Sequence, residues 1–152
     1  MSETANELRD KSRRLLRDVH STGYETVRAE LKRLIDKSRK DHADDVFLIR
    51  FLSNQLLVAT AYFLGPIEEM EETFQHCVAV GHNTPYDRYS QLLIFAAWCE
   101  DQGHPKRGSA LIEEASLIVG NSFDSTRDAL AIQEMRVEIE KHRVRIAALE
   151  GD

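Results

Sequence analysis

Helix breakers are scarce in this chain. It has three prolines and seven glycines in 152 residues, which leaves room for long helices. Leu, Ala, Glu, Arg and Gln dominate and favour helix over strand. Cysteine is nearly missing. Cys77 and Cys99 lie in helical patterns and belong to no close-spaced metal or redox motif. The sequence leaves a disulfide between them open; the reading taken is two reduced thiols in a cytoplasmic protein. The first residues, MSETANELRDKSRR, have no apolar core and do not read as a secretory signal. The longest apolar stretch, Leu56 to Leu64, is about half of what a bilayer span needs. No membrane association is expected.

Positive charge is also in short supply. The net charge is −6, which argues against a general phosphate-binding surface. The balance is uneven. Residues 1–42 carry 11 basic and 8 acidic side chains, residues 43–84 carry 1 and 6, and residues 85–152 carry 8 and 12. Catalytic signatures are missing too. There is no Gly-rich phosphate loop, no G-x-S-x-G, no His-Glu-x-x-His and no paired Glu-x-x-His. The histidines, at 20, 42, 76, 82, 104 and 142, put no close pair on one helix face, and His82 and His104 read as turn caps. A nucleophilic cysteine needs a nearby base and an oxyanion site; His76 precedes Cys77 but points about 100° away around the helix, so a buried structural thiol is favoured there. Glu68, Glu69, Glu71 and Glu72 crowd a helix start, where carboxylates favour the helix dipole. The chain therefore reads as a non-enzyme with no metal and no cofactor.

What is present is a phrase written twice. Residues 51–80 and 89–118 align without a gap at a spacing of 38. Phe51 meets Tyr89, Leu57 meets Phe95, Phe74 meets Ile112 and Cys77 meets Ala115; Ala59 with Ala97 and Gly65 with Gly103 are identical. Each copy is an apolar helical stretch, a glycine turn and a second helical stretch. Such hairpins stack because none buries its apolar face alone.

Periodicity extends the pattern to the whole chain. A first helix is predicted from about Ser2 to His20, ended by Gly23 as a left-handed cap, and a second over 24–39. The third, over 45–64 behind Asp45 as N-cap, is apolar nearly all round and expected to be the most buried. Gly65-Pro66 closes it, with Pro66 in the first turn of the fourth helix. Gly81-His82-Asn83 ends the fourth. Thr84-Pro85-Tyr86-Asp87 opens the fifth, Gly103-His104-Pro105 separates it from the sixth, and Gly120 ends the sixth. The last helix is placed from about Thr126 to Leu149, capped by Asp124 or Ser125. The expected architecture is one all-α domain over 1–152. It is a right-handed stack of three antiparallel hairpins, about 2–40, 45–80 and 84–120, with a long C-terminal capping helix over about 125–149.

The second and third hairpins resemble tetratricopeptide repeats. Ala96, Gly103, Gly108 and Ala115 fit that family's small-residue pattern in the third hairpin, as do Gly65 and Cys77 in the second. Val58 and Met70 are larger than the pattern prefers. Asn54 and Leu92 replace its first-helix aromatic, and the proline after each second helix is missing. The resemblance covers residues of about 45–118. It implies a concave groove, lined by the first helix of each hairpin, that holds a segment of another protein. The implied groove positions are Leu52, Gln55, Ala59, Tyr62 and Phe63, then Ser90, Leu93, Ala97, Glu100 and Asp101, with Arg13, Arg17 and His20 from the first hairpin. That groove would be basic at one end, aromatic in the middle and acidic at the other. These positions in the second and third hairpins carry no Lys, Arg or Asn, so clamping of a peptide carboxylate is not expected.

Two further features bear on partners. Arg9, Arg13 and Arg17 recur every four residues, but Asp10 and Asp18 flank them, so a solvated face is favoured over a nucleic-acid contact. The last helix carries Ile132, Met135, Ile139, His142, Ile146 and Leu149 in 3-4 spacing, and a second stripe of Leu130, Val137 and Val144 about 140° round. Two apolar stripes suggest a homodimer. Residues past 140 are expected to outrun the third hairpin, so Ile139, Ile146 and Leu149 are the self-association candidates, and truncation after Lys141 is expected to leave a folded monomer. The function expected is an adaptor that binds a protein or peptide segment. Two alternatives stand beside it: a client-holding chaperone, since the layout resembles the tetratricopeptide chaperones of type III secretion, and a nucleic-acid-binding regulator using the N-terminal arginines.

Overall fold

A computed structural model describes residues 3–81 and 83–151; the predicted first position Ser2 and the turn residue His82 lie outside them. The described residues form eight helices and no strand. They divide into two compact units, residues 1–83 and 84–152.

The first unit holds α1 (Ala5–Arg17), α2 (Val19–Thr22), α3 (Tyr24–Asp41), α4 (Val46–Phe63) and α5 (Ile67–Ala79). Thr4 caps α1 by accepting from the Glu7 amide at 3.1 Å. The predicted first helix is interrupted at Asp18, whose carboxylate binds the Arg17 guanidinium beside it. Gly23 turns the chain into α3 at φ 94° and ψ 142°, positive as expected but outside the left-handed helical region. Asp45 caps α4 by accepting from the Leu48 amide at 3.0 Å. α4 packs on α1, α3 and α5. Leu8, Val27, Leu31, Leu48, Leu52 and Ala59 fill the core among α1, α3 and α4.

Gly65-Pro66 follows α4 as expected, and the left-handed residue of the turn is Leu64, at φ 57°. Gly65 sits close to the Phe63 ring, which a Cβ there would approach to 2.9 Å. Pro66 is the N-cap of α5 rather than its first helical residue. Beyond α5, Asn83 donates to the carbonyls of Cys77 and Val80, both at 2.9 Å.

The second unit holds α6 (Pro85–Gln102), α7 (Pro105–Ser122) and α8 (Ala129–Glu150). Thr84 and Asp87 form the expected reciprocal cap, with hydrogen bonds of 3.1 and 2.9 Å. Gly103 takes the left-handed cap at φ 75°. α7 runs through Gly120 to Ser122. α8 starts at Ala129, three residues later than expected. Asp124 does cap a turn, but it is the turn before the helix, accepting from the amides of Thr126 and Arg127 at 2.9 and 2.7 Å. α8 lies against both α6 and α7. Gly108 permits that approach, since a Cβ there would meet Ile146 at 2.9 Å and the Cβ of Cys99 at 3.2 Å.

α4 is not the more enclosed of the two apolar helices. Its outer side leaves Phe47 and Tyr62 exposed, while α6 buries Tyr89, Leu92, Leu93, Phe95, Ala96, Trp98 and Cys99. α4 is also the one helix among the described residues long and apolar enough to cross a membrane, with 39% of its 18 residues buried in the fold.

Candidate partner-binding face

One flank of α4 in the first unit carries partly exposed apolar and aromatic residues. Helical spacing puts Phe51, Gln55, Val58 and Tyr62 on that flank, over roughly 16 Å of helix. None of the four is buried. Tyr62 is 61% exposed and stacks on Tyr24 of α3 with ring centroids 5.4 Å apart and planes 17° from parallel. His20 meets Tyr24 edge-on at 6.4 Å. Next along α4, Arg28 lies over the Phe63 ring at 4.2 Å and pairs with Glu69. At the other end, Arg13 of α1 lies over the Phe51 ring at 5.1 Å. Stacked rings lose little freedom when a ligand covers them. Arg28 is mostly enclosed with its charge met by Glu69, and Arg13 pairs with Asp10. The flank thus offers an apolar, aromatic ledge flanked by paired arginines.

A second feature of this unit is a cleft of about 280 Å³ above Ile35 and Leu56, between α3 and α5. Lys32, Asp36, Arg39, Glu69, Glu72 and His76 line it. His76 shares a hydrogen bond of 3.1 Å with Ser53, and Arg39 approaches its ring at 3.0 Å. Burial, and then the Arg39 charge, lower the His76 pKa below its ordinary 6.5. The Cys77 thiol donates to the Ser53 carbonyl at 3.1 Å, and burial pushes its pKa up to about 12. That thiol stays protonated and makes a poor nucleophile. The mixed charges of the cleft favour neither an anion nor a cation. No three His, Cys, Asp or Glu side chains converge as metal ligands among the described residues.

The sequence-derived site residues separate by burial. Tyr62, Arg13, Arg17 and Asp101 are exposed, and Gln55 and Phe63 are half-buried. Arg13 and Arg17 are paired with Asp10 and Asp18 at 3.1 and 3.2 Å. Leu52 and Leu93, placed in the groove by helical register, are instead core residues, as is Ala59. Their helices turn those faces inward, so they have no surface to offer. Glu100 is largely enclosed and binds His142 of α8, with Arg145 3.8 Å away. The self-association residues need correction as well. Ile139 and Ile146 are buried in the second unit and Leu149 is half-buried. α8 does not outrun its hairpin but lies along it, with Arg143 reaching Glu113 of α7 at 3.1 Å. Truncation after Lys141 would strip Ile146 and His142 from that core. Tyr24, Arg28 and Phe51 were missed by sequence reasoning. The signal for Phe51 was there, in the 4-3-4 spacing of 51, 55, 58 and 62.

No protein-family model, curated protein or solved structure matches the chain.

Proposed function

We propose that this chain is a cytoplasmic, non-catalytic adaptor of tetratricopeptide-like helical hairpins that binds an extended segment of another protein. The observation that carries the reading is the exposed Tyr62–Tyr24 stack on the arginine-edged flank of α4. Large aromatic side chains left in water are characteristic anchors of binding energy. Turn-separated α4–α5 and α6–α7, with Cys77, Ala96, Gly108 and Ala115 enclosed, support the repeat reading. The test is selection of binding peptides from a random library on the full chain, followed by titration of the best peptide. Tyr62→Ala and Tyr24→Ala should each weaken it by more than about 1 kcal/mol with helicity retained. Unchanged affinity in both variants would overturn the assignment.

A further inference from the structure

With the inner stripe of α8 committed to the core, the outer one is left. Leu130, Val137 and Val144 are 69%, 52% and 61% exposed. Spaced seven apart, they form one line along the side of α8 that faces away from α6 and α7. Around Val137 and Val144 the surface is an open depression lined almost wholly by carbon, including the stems of Glu140, Lys141 and Arg145. Three large aliphatic residues in a line on the solvent side of a packed helix have no role inside the unit.

The charges beside the stripe show what fits it. Glu134 lies between Leu130 and Val137, and Lys141 lies between Val137 and Val144, on the same edge. Both are exposed and form no ion pair among the described residues. Their neighbours are engaged: Arg143 binds Glu140 at 2.7 Å and Glu113 at 3.1 Å, and Arg145 faces Glu100. Seven residues separate Glu134 from Lys141, about 10 Å along the axis, too far to pair within one helix.

We infer that the outer stripe of α8 binds a second copy of this chain, with the two α8 helices antiparallel and the two-fold axis passing beside Val137. Such a two-fold brings like edge against like edge. It sets Glu134 of each copy against Lys141 of the other and places Leu130 opposite Val144 across the axis. A parallel pairing sets Lys141 beside Glu140, which Arg143 already neutralises, and leaves Glu134 unmatched. The antiparallel arrangement is therefore the one that uses both unpaired charges and the whole apolar line. Because each copy contributes three aliphatic side chains and two ion pairs result, the dimer is a weak one that forms by mass action.

Sedimentation of the full chain between about 10 µM and about 500 µM is the test. A monomer should convert to a dimer across that range. Val137→Glu should stay monomeric throughout while keeping the circular-dichroism spectrum of the parent, because the side chain faces water. Glu134→Lys and Lys141→Glu should each raise the dissociation constant about tenfold or more, and the double exchange E134K/K141E should restore it to within about threefold. A full chain that is monomeric at the top concentration overturns the proposal. So does a dimer that survives Val137→Glu, or a double exchange that fails to recover what either single one lost.

Discussion

Leu64 carries a conformation that its side chain resists. At φ 57° and ψ 38° it sits in the left-handed region, which costs a non-glycine residue about 1–2 kcal/mol. Glycine's extra freedom in the unfolded chain offsets about 0.5–1 kcal/mol of that. Leu64 is about half exposed, so little packing is lost with it. Leu64→Gly should therefore stabilise the first unit by up to about 1 kcal/mol, read as a higher urea midpoint at unchanged slope. Ala96 is the opposite case, with no exposed surface among Phe95, Trp98 and Cys99 on its own helix. Ala96→Leu should cost about 1–3 kcal/mol by overpacking. A change near zero in the same assay would mean that α6 is free to give way at that point.

His76 gives the first unit a pH dependence of known sign. Burial lowers its pKa in the folded chain, while the unfolded chain keeps the ordinary value near 6.5. The stability conferred by the neutral ring is whole above pH 6.5 and is lost as pH falls below it, because the unfolded state then takes up the proton first. Between pH 7.5 and 5.5 the parent should lose more stability than His76→Gln does. Equal losses would show that the ring titrates alike in both states.

At the scale of the element, α8 is the helix whose two sides have different fates. Its inner side supplies Met135, Ile139, His142 and Ile146 to the core of the second unit. Ile146 lies in the gap that Gly108 leaves on α7. Ile146→Ala should cost about 2–5 kcal/mol, since the cavity is walled by a backbone with no side chain to collapse into it. Thermal unfolding followed by Trp98 fluorescence checks this, because the only tryptophan of the chain is buried in the same unit. The 3-4 spacing of the inner stripe marked an amphipathic helix correctly. It did not say which of the two stripes would be enclosed, because periodicity gives angles around a helix and says nothing of what lies beside it. The same limit explains Leu52 and Leu93. Their register was legible, but whether that register faced a groove or a core depended on the helices packed against them.

At the scale of the whole molecule, each unit contains one buried thiol, Cys77 in the first and Cys99 in the second. Burial pushes the Cys77 pKa up to about 12, so the thiol stays protonated near neutral pH. Labelling by a thiol reagent under native conditions thus reports opening of the unit around it. Both cysteines should react slowly in the parent and fast in denaturant. Ile146→Ala should speed labelling of Cys99, which faces the same gap at Gly108, more than labelling of Cys77. Equal acceleration at both would count against a loss confined to the core of the second unit.

The sequence by itself determined the all-helical class and most helix boundaries to within about three residues, but not the break that separates α1 from α2. Caps, glycines and prolines act on the few residues beside them: Thr84 with Asp87, Asp45, and Gly103 all work in the structure as their local chemistry requires. Some boundaries moved by a few residues, and at the α4–α5 turn the left-handed position fell on Leu64, with the Phe63 ring close over Gly65. Only the tertiary structure decided which apolar faces were spent on the core and which were left to water. Tyr62 and Val137 stayed outside while Leu52 and Ile146 went in. Each belongs to an apolar stripe of its helix. Burial is decided by the neighbour across the gap, and that neighbour is set by the packing of whole helices.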